Sequence, residues 1–134
     1  MLVTLIIIVA FSLLVIFHEF GHYIIAKLLK VKVEKFAVGF GPEWFGFKGK
    51  ETHYSVNLFP LGGYVRMLGD EVGDPNAESP RSYLAQKWYK RAFIVAFGPV
   101  MNFVLAIILF TIIFMVGVSV PDTTTARIGY VYEN

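Results

Sequence analysis

The sequence predicts a mainly α membrane protein, in which two transmembrane helices are joined by a cytoplasmic-side, membrane-associated β-hairpin segment and an interfacial helix. Three observations predict it. Of the 134 residues, 56% are hydrophobic, and the mean hydropathy of +0.61 is too high for an ordinary soluble domain of this size. Two apolar runs each exceed the roughly 20 residues that a helix needs to cross a bilayer. Eleven of the twelve Lys and Arg residues lie between these runs.

The first predicted transmembrane helix covers residues 1–29. Between Leu2 and Ala26 the only strongly polar side chains are His18, Glu19 and His22. A secretory signal peptide is the alternative, but the run has no basic n-region and no small-residue cleavage site before His18, so we expect it to be retained.

The second predicted transmembrane helix covers residues 92–120, which carry no charge and in which Asn102 is the most polar side chain. Of the twelve basic residues only Arg127 lies outside the segment between the helices. The positive-inside rule therefore predicts that residues 27–91 lie on the cytoplasmic side and that both termini lie across the membrane.

The segment between the helices begins with a membrane-associated β region over residues 30–70. Its aromatic and β-branched runs predict two hairpins or a small sheet, with strands at Val31–Phe40, Trp44–Phe47, His53–Leu58 and Tyr64–Leu68. An exposed strand edge could pair with an unwound substrate, although a purely structural sheet is the simpler interpretation. Residues 71–91 predict an acidic loop followed by a basic interfacial helix, "SYLAQKWYKR".

The stretch "HEFGH" carries the chemistry. His18 and His22 are four residues apart, so on a helix they share one face and both imidazoles can reach one Zn²⁺. Glu19 lies beside them as a general base that activates water. A chance match, with the histidines hydrogen-bonded inside a helix bundle, is the alternative, but ionisable residues in a membrane span indicate function by default.

Two further polar residues are candidates near this site. At 1.5 Å per residue, measured inward from Lys27 and Arg91, His22 and His18 lie at about the same depth as Gly98 and Asn102. Asn102 could present its amide to the site or to a substrate backbone, or it could serve only as a contact between helices. His53 could be a third metal ligand, but its polar turn favours an exposed histidine.

With these motifs assembled, the chain resembles the N-terminal half of site-2 proteases, the intramembrane zinc metalloproteases of regulated intramembrane proteolysis, and most of all the RseP-type bacterial branch. The similarity rests on "HEFGH", "VGFGP", "NLFPLGGYVRMLGD" and "FGPVMNFVLA" in this order. It implies that His18 and His22 bind zinc and that Glu19 activates water. It also implies that "PLGGYVRM", with Gly62 and Gly63, forms a hairpin near the substrate, and that Asn102 belongs to the family's GxxxN element.

The resemblance further implies a multi-pass protein of the bacterial inner membrane that cuts single-pass membrane proteins, such as anti-sigma factors or signal-peptide remnants, within the lipid bilayer. The family's third zinc ligand is an aspartate in a downstream "LDG" motif, beyond one or more PDZ domains, and no LDG occurs here. Residues 121–134 are similar to the start of a truncated extracytoplasmic PDZ-like region. We therefore expect the chain to be incomplete as an enzyme and to need a C-terminal half.

Two other functions are open from the sequence. A membrane scaffold that binds substrate helices without cleaving them would explain the missing aspartate, but it has no need of His18, Glu19 and His22 together. A two-helix metal transporter subunit would not need a glutamate placed as a base. The net charge of +2 gives no electrostatic support for nucleic-acid binding, and the absence of cysteine removes thiolate metal sites.

Overall fold

The computed structural model describes residues 1–117, which form two long helices and two long strands in the order α1, β1, β2, α2. Helix α1 spans Leu2–Leu28 and helix α2 spans Trp88–Val116. Both are long and apolar enough to cross a membrane. The two predicted helices are thus confirmed, except that α2 begins four residues earlier than residue 92. Predicted residues 118–120 of the second helix and the PDZ-like region at 121–134 lie outside the described residues.

Helix α1 ends in a Schellman motif that turns the chain into the sheet. Lys30 has φ +63°, and its N–H donates to the carbonyl of Lys27. The N–H of Val31 donates to the carbonyl of Ala26, and both of these side chains are buried in one small core cluster. A lysine holds the left-handed position that glycine usually occupies, which makes this turn depend on its tertiary contacts.

The β region is a two-stranded antiparallel sheet of β1 (Val33–Lys48) and β2 (His53–Met67). The hairpin prediction is confirmed, but the four short strands expected from the sequence merge into two. The register shifts along the pairing, and residues 35–38 pair with two parts of β2, residues 63–66 and residues 53–56. Glycines at positive φ, including Gly39 and Gly62, let each strand bend without ending.

The prediction of an interfacial helix at "SYLAQKWYKR" is wrong for the first six residues of this stretch. Residues 82–87 form turns and bends, and the helical remainder is the first turn of α2. The N–H groups of Tyr83 and Leu84 donate to the carbonyls of Leu68 and Gly69, while the buried Ser82 hydroxyl also donates to Gly69. These bonds to the end of the sheet replace the local bonds that a helix would need.

The two helices run antiparallel and approach closely where α1 carries Gly21. A Cβ atom at Gly21 would collide with the backbone carbonyl of Phe97 and lie 2.8 Å from Cγ of Met101. Gly21 is buried. The absence of a side chain at this position therefore sets the distance between α1 and α2.

We expect Gly21→Ala to destabilise the chain by about 1–3 kcal/mol, because the new methyl group forces the helix backbones apart. Thermal unfolding in detergent, followed by circular dichroism, measures this change. Ala92→Val is the matched control, since it adds carbon atoms to an exposed position of α2. A Gly21→Ala protein as stable as the control would contradict the close contact.

Candidate metal centre

His18 and His22 occupy the face of α1 that packs against α2. Their ring centroids are 4.8 Å apart and the rings are nearly perpendicular, at 81°. Both residues are partly buried. The spacing of four residues on a helix therefore places the two imidazoles side by side, as expected from the sequence.

The ring of His22 is held by the backbone of α2. Its Nδ1 lies 2.7 Å from the carbonyl oxygen of Ile94. A carbonyl only accepts hydrogen bonds, so Nδ1 of His22 carries the proton and donates it. In a neutral ring with this proton position, Nε2 keeps its lone pair and is the nitrogen that can bind a metal.

The ring of His18 is held by Asn102. Nδ2 of Asn102 lies 3.2 Å from Nδ1 of His18, and Oδ1 of Asn102 is buried without a hydrogen-bond partner among the described residues. Rotation of the amide by 180° exchanges these two atoms. In that orientation Oδ1 would accept a hydrogen bond from Nδ1–H, and Nε2 of a neutral His18 ring would keep its lone pair. In the orientation that the structure shows, Nδ2 donates to Nδ1 instead.

Gly98 leaves a small space between the two imidazoles. A Cβ atom built on Gly98 would lie 2.5 Å from Nε2 of His18 and 2.6 Å from Nε2 of His22. Both nitrogens thus border the same space, which a side chain at residue 98 would fill. Two imidazoles that face one space through Nε2, each held through its other nitrogen, fit a zinc ion as two of its protein ligands.

A complete ligand set is not found among residues 1–117, which contain no group of three or more His, Cys, Asp and Glu side chains able to hold a metal ion. Catalytic zinc sites normally have three protein ligands. His53 does not act as the third, because its Nε2 lies 2.8 Å from Oε2 of Glu43 in a partly exposed pair on the sheet.

Glu19 lies next to His18 on α1 and faces the backbone of β2 at Val65. The carboxylate is therefore located between the histidine pair and the sheet.

The glycines predicted to contact substrate are buried in the sheet. A Cβ atom at Gly63 would lie 2.6 Å from the carbonyl oxygen of Ala37, and one at Gly62 would contact the ring of Phe40 and a methyl group of Val15. Close packing at Gly63 and the positive φ of Gly62 account for glycine at these two positions, and their contact with substrate stays a prediction.

One contact was missed at the sequence level. The Ser12 hydroxyl, buried on α1, lies within hydrogen-bond distance of the carbonyl of Pro60 in the bend of β2 and of the carbonyl of Ile8, and its one proton is shared between them. A serine in an otherwise apolar helix is the signal that indicates such a bond. Ser12 therefore fixes the bend of β2 beside α1, six residues before the histidine pair.

Comparison with known proteins identifies the family to which the chain belongs. The chain matches the model of peptidase family M50 over residues 6–133. Because the match covers nearly the whole sequence, the chain belongs to peptidase family M50, the site-2 protease family, and the resemblance seen in its motifs is confirmed.

Its relatives are bacterial proteins designated as candidate zinc metalloproteases. The chain is 48% identical to one from Clostridium acetobutylicum over 115 residues, which are 85% of this chain and 33% of the relative. It is 43% identical to one from Vibrio cholerae over 113 residues, 83% of this chain and 25% of that relative. One from Thermotoga maritima is 46% identical over 96 residues, 69% of this chain and 19% of the relative. The chain thus spans about a third or less of the length of these relatives.

We expect Gly98→Ala to remove metal binding, because its methyl group occupies the space that both Nε2 atoms border. Cobalt(II), which replaces zinc and absorbs visible light when bound, measures the loss by titration of the chain in detergent. Ala96→Val, an exposed change one half-turn away on the same helix, should bind cobalt as the unchanged protein does. Equal cobalt affinity in Gly98→Ala would exclude this space as the metal position.

Proposed function

We propose that this chain forms the histidine-bearing portion of an intramembrane zinc metalloendopeptidase that cleaves the transmembrane segments of single-pass membrane proteins. The observation that carries the proposal is the convergence of Nε2 of His18 and Nε2 of His22 on the space beside Gly98, with Glu19 adjacent. Membership of peptidase family M50 supports the same reaction class.

The roles of the residues follow from their positions. His18 and His22 would hold zinc, which when bound polarises the scissile carbonyl and makes water more acidic. Glu19 accepts a proton from the attacking water and transfers it to the amine that leaves. Asn102 keeps the His18 ring oriented through its Nδ1, which makes Asn102 a positioning residue. A third ligand, an aspartate in the family, would come from a C-terminal portion with a PDZ region.

The proposed location is the bacterial inner membrane, with α1 and α2 spanning it. Most of the large apolar side chains of both helices are exposed, including Leu5, Ile6 and Phe103 at 58%, 57% and 73%. An exposed apolar surface of this extent needs a lipid environment. The cluster of basic residues in 27–91 supports the proposed orientation, with that segment on the cytoplasmic side and both termini on the other.

The bent hairpin is proposed to present the substrate to the site. Its exposed aromatic residues, among them Phe40, Trp44 and Phe59, make the bend suitable for the lipid phase, and the Ser12 bond fixes that bend well inside the depth of α1. An unwound substrate strand beside β2 at Val65 would lie near Glu19. Anti-sigma factors and signal-peptide remnants are the substrate classes that the family suggests.

A non-catalytic scaffold is the second candidate. The presence of only two histidine ligands among the described residues favours it. Such a protein would bind substrate helices through the same hairpin without cleaving them.

Glu19→Gln should lower the rate of cleavage by a factor of about 10²–10⁴, the usual contribution of a general base, while zinc stays bound. The rate is measured with a fluorescent single-pass substrate, in a protein long enough to include the third ligand. His53→Ala is the control and should cleave normally. Unchanged cleavage by Glu19→Gln would exclude this residue as the base, and no cleavage by the unchanged protein would favour the scaffold.

Asn102→Leu should weaken zinc binding about 10–100-fold, because the Nδ1 proton of His18 loses its acceptor. Asn102→Asp keeps an acceptor oxygen and should restore most of the affinity. Competition with a zinc-sensitive dye measures both variants without reference to activity. Equal weakening by Leu and Asp, or no weakening by either, would contradict a positioning role.

A further inference from the structure

A cavity of about 440 Å³ lies on the side of the molecule where both helices meet the loops, away from the histidine pair. Its polar lining consists of side chains from the end of α1, the turn between the strands, the segment before α2 and the start of α2. These are Lys27, Lys30, Glu51, Arg81, Gln86 and Lys90. The zinc site and the proposed cleavage use none of these residues.

The cavity carries excess positive charge. Four cationic side chains and one carboxylate line it, which leaves three positive charges. Arg81 forms a bidentate pair with Glu51, with Nη1–Oε1 and Nη2–Oε2 distances of 2.6 and 2.8 Å. That hydrogen-bonded pair, helped by Lys27, lowers the pKa of Glu51 to about 2. Glu51 is therefore ionised at neutral pH. Its negative charge is already included in the excess of three positive charges.

Hydrogen bonds between distant segments hold the wall of the cavity together. Nε of Arg81 donates to the carbonyl of Lys30 at 3.4 Å, and the N–H of Lys32 donates to the carbonyl of Arg81. Gln86 donates to the carbonyl of Pro80 and accepts a hydrogen bond from Nζ of Lys90. The ends of both helices are thus tied around the cavity.

The position of the cavity along the two helices matches the headgroup layer of a bilayer. Lys27 and Lys30 lie at the end of α1, and Lys90 lies in the first turn of α2. Trp88 and Tyr89 are 74% and 43% exposed at the same level, and such aromatic residues favour the membrane–water interface. Leu29 also lines the cavity, on the side where it packs against the protein core.

We propose that this cavity binds the phosphodiester headgroup of an anionic phospholipid. The ligand needs a negative charge for Lys30 and Lys90 and an oxygen acceptor for Arg81, which a phosphodiester in the headgroup layer provides. Basic pockets between transmembrane helices on the cytoplasmic side bind such headgroups in general. The proposal depends on the membrane placement of the helices but not on zinc or cleavage, so it can fail while the proposed function stands.

The test measures binding of phosphatidylglycerol and phosphatidylcholine to the chain in neutral detergent by native mass spectrometry. We expect one phosphatidylglycerol to bind at least tenfold more tightly than phosphatidylcholine. The double variant Lys30→Gln/Lys90→Gln should weaken phosphatidylglycerol binding about 25-fold, since each lysine near a headgroup contributes about fivefold. Lys30→Arg/Lys90→Arg should keep the binding, which shows that charge and not misfolding decides the outcome.

The control removes two charges elsewhere. Lys48→Gln/Lys87→Gln changes exposed lysines that do not line the cavity and should alter binding less than twofold. Equal affinity for both lipids, or equal losses in the two Gln double variants, would overturn the cavity as a lipid site. Tight binding of inorganic phosphate without a preference for phosphatidylglycerol would overturn the lipid source and assign a site for free anions.

Discussion

The close contact of α1 with α2 at Gly21 and Gly98 is the constraint on which the rest of the structure depends. Polar groups inside apolar helices are costly unless the protein itself supplies their partners. A second helix at very short range gives His22 the backbone carbonyl of Ile94 and gives His18 the side-chain amide of Asn102. The two glycines make that range possible, one on each helix. The contacts that orient both histidine rings therefore depend on the absence of side chains at Gly21 and Gly98.

The sheet adds a second layer to the same site. Ser12 holds the bend of β2 beside α1, and the Tyr23 and Tyr54 hydroxyls join α1 to β2 nearer the helix end, at 2.7 Å. The backbone of β2 at Val65 then lies opposite Glu19. A carboxylate near both a strand and two imidazoles would suit the proposed cleavage of an extended peptide, because a strand can align such a peptide.

Much of this could be predicted from the sequence, for physical reasons. Apolar length determines the two helices, and the spacing of His18 and His22 determines their shared face. The equal depths of His18 and Asn102 followed from the helical rise alone. What could not be predicted depends on contacts between distant segments: the merging of short strands across Gly39 and Gly62, the Ser12 bond, and the turns of residues 82–87, which bond to the end of β2 instead of forming a helix. Local sequence contains no direct signal for such partners.

The most direct test of the account is a zinc titration of the chain in detergent, observed through the NMR signals of the histidine Cε1–H groups. The sequence has three histidines, so each signal can be assigned and His53 serves as an internal control. The account predicts that the signals of His18 and His22 shift together with one dissociation constant, at zinc concentrations well below any that move His53. Separate dissociation constants for His18 and His22, or a response of His53 at the same concentrations, would contradict a metal shared by the pair.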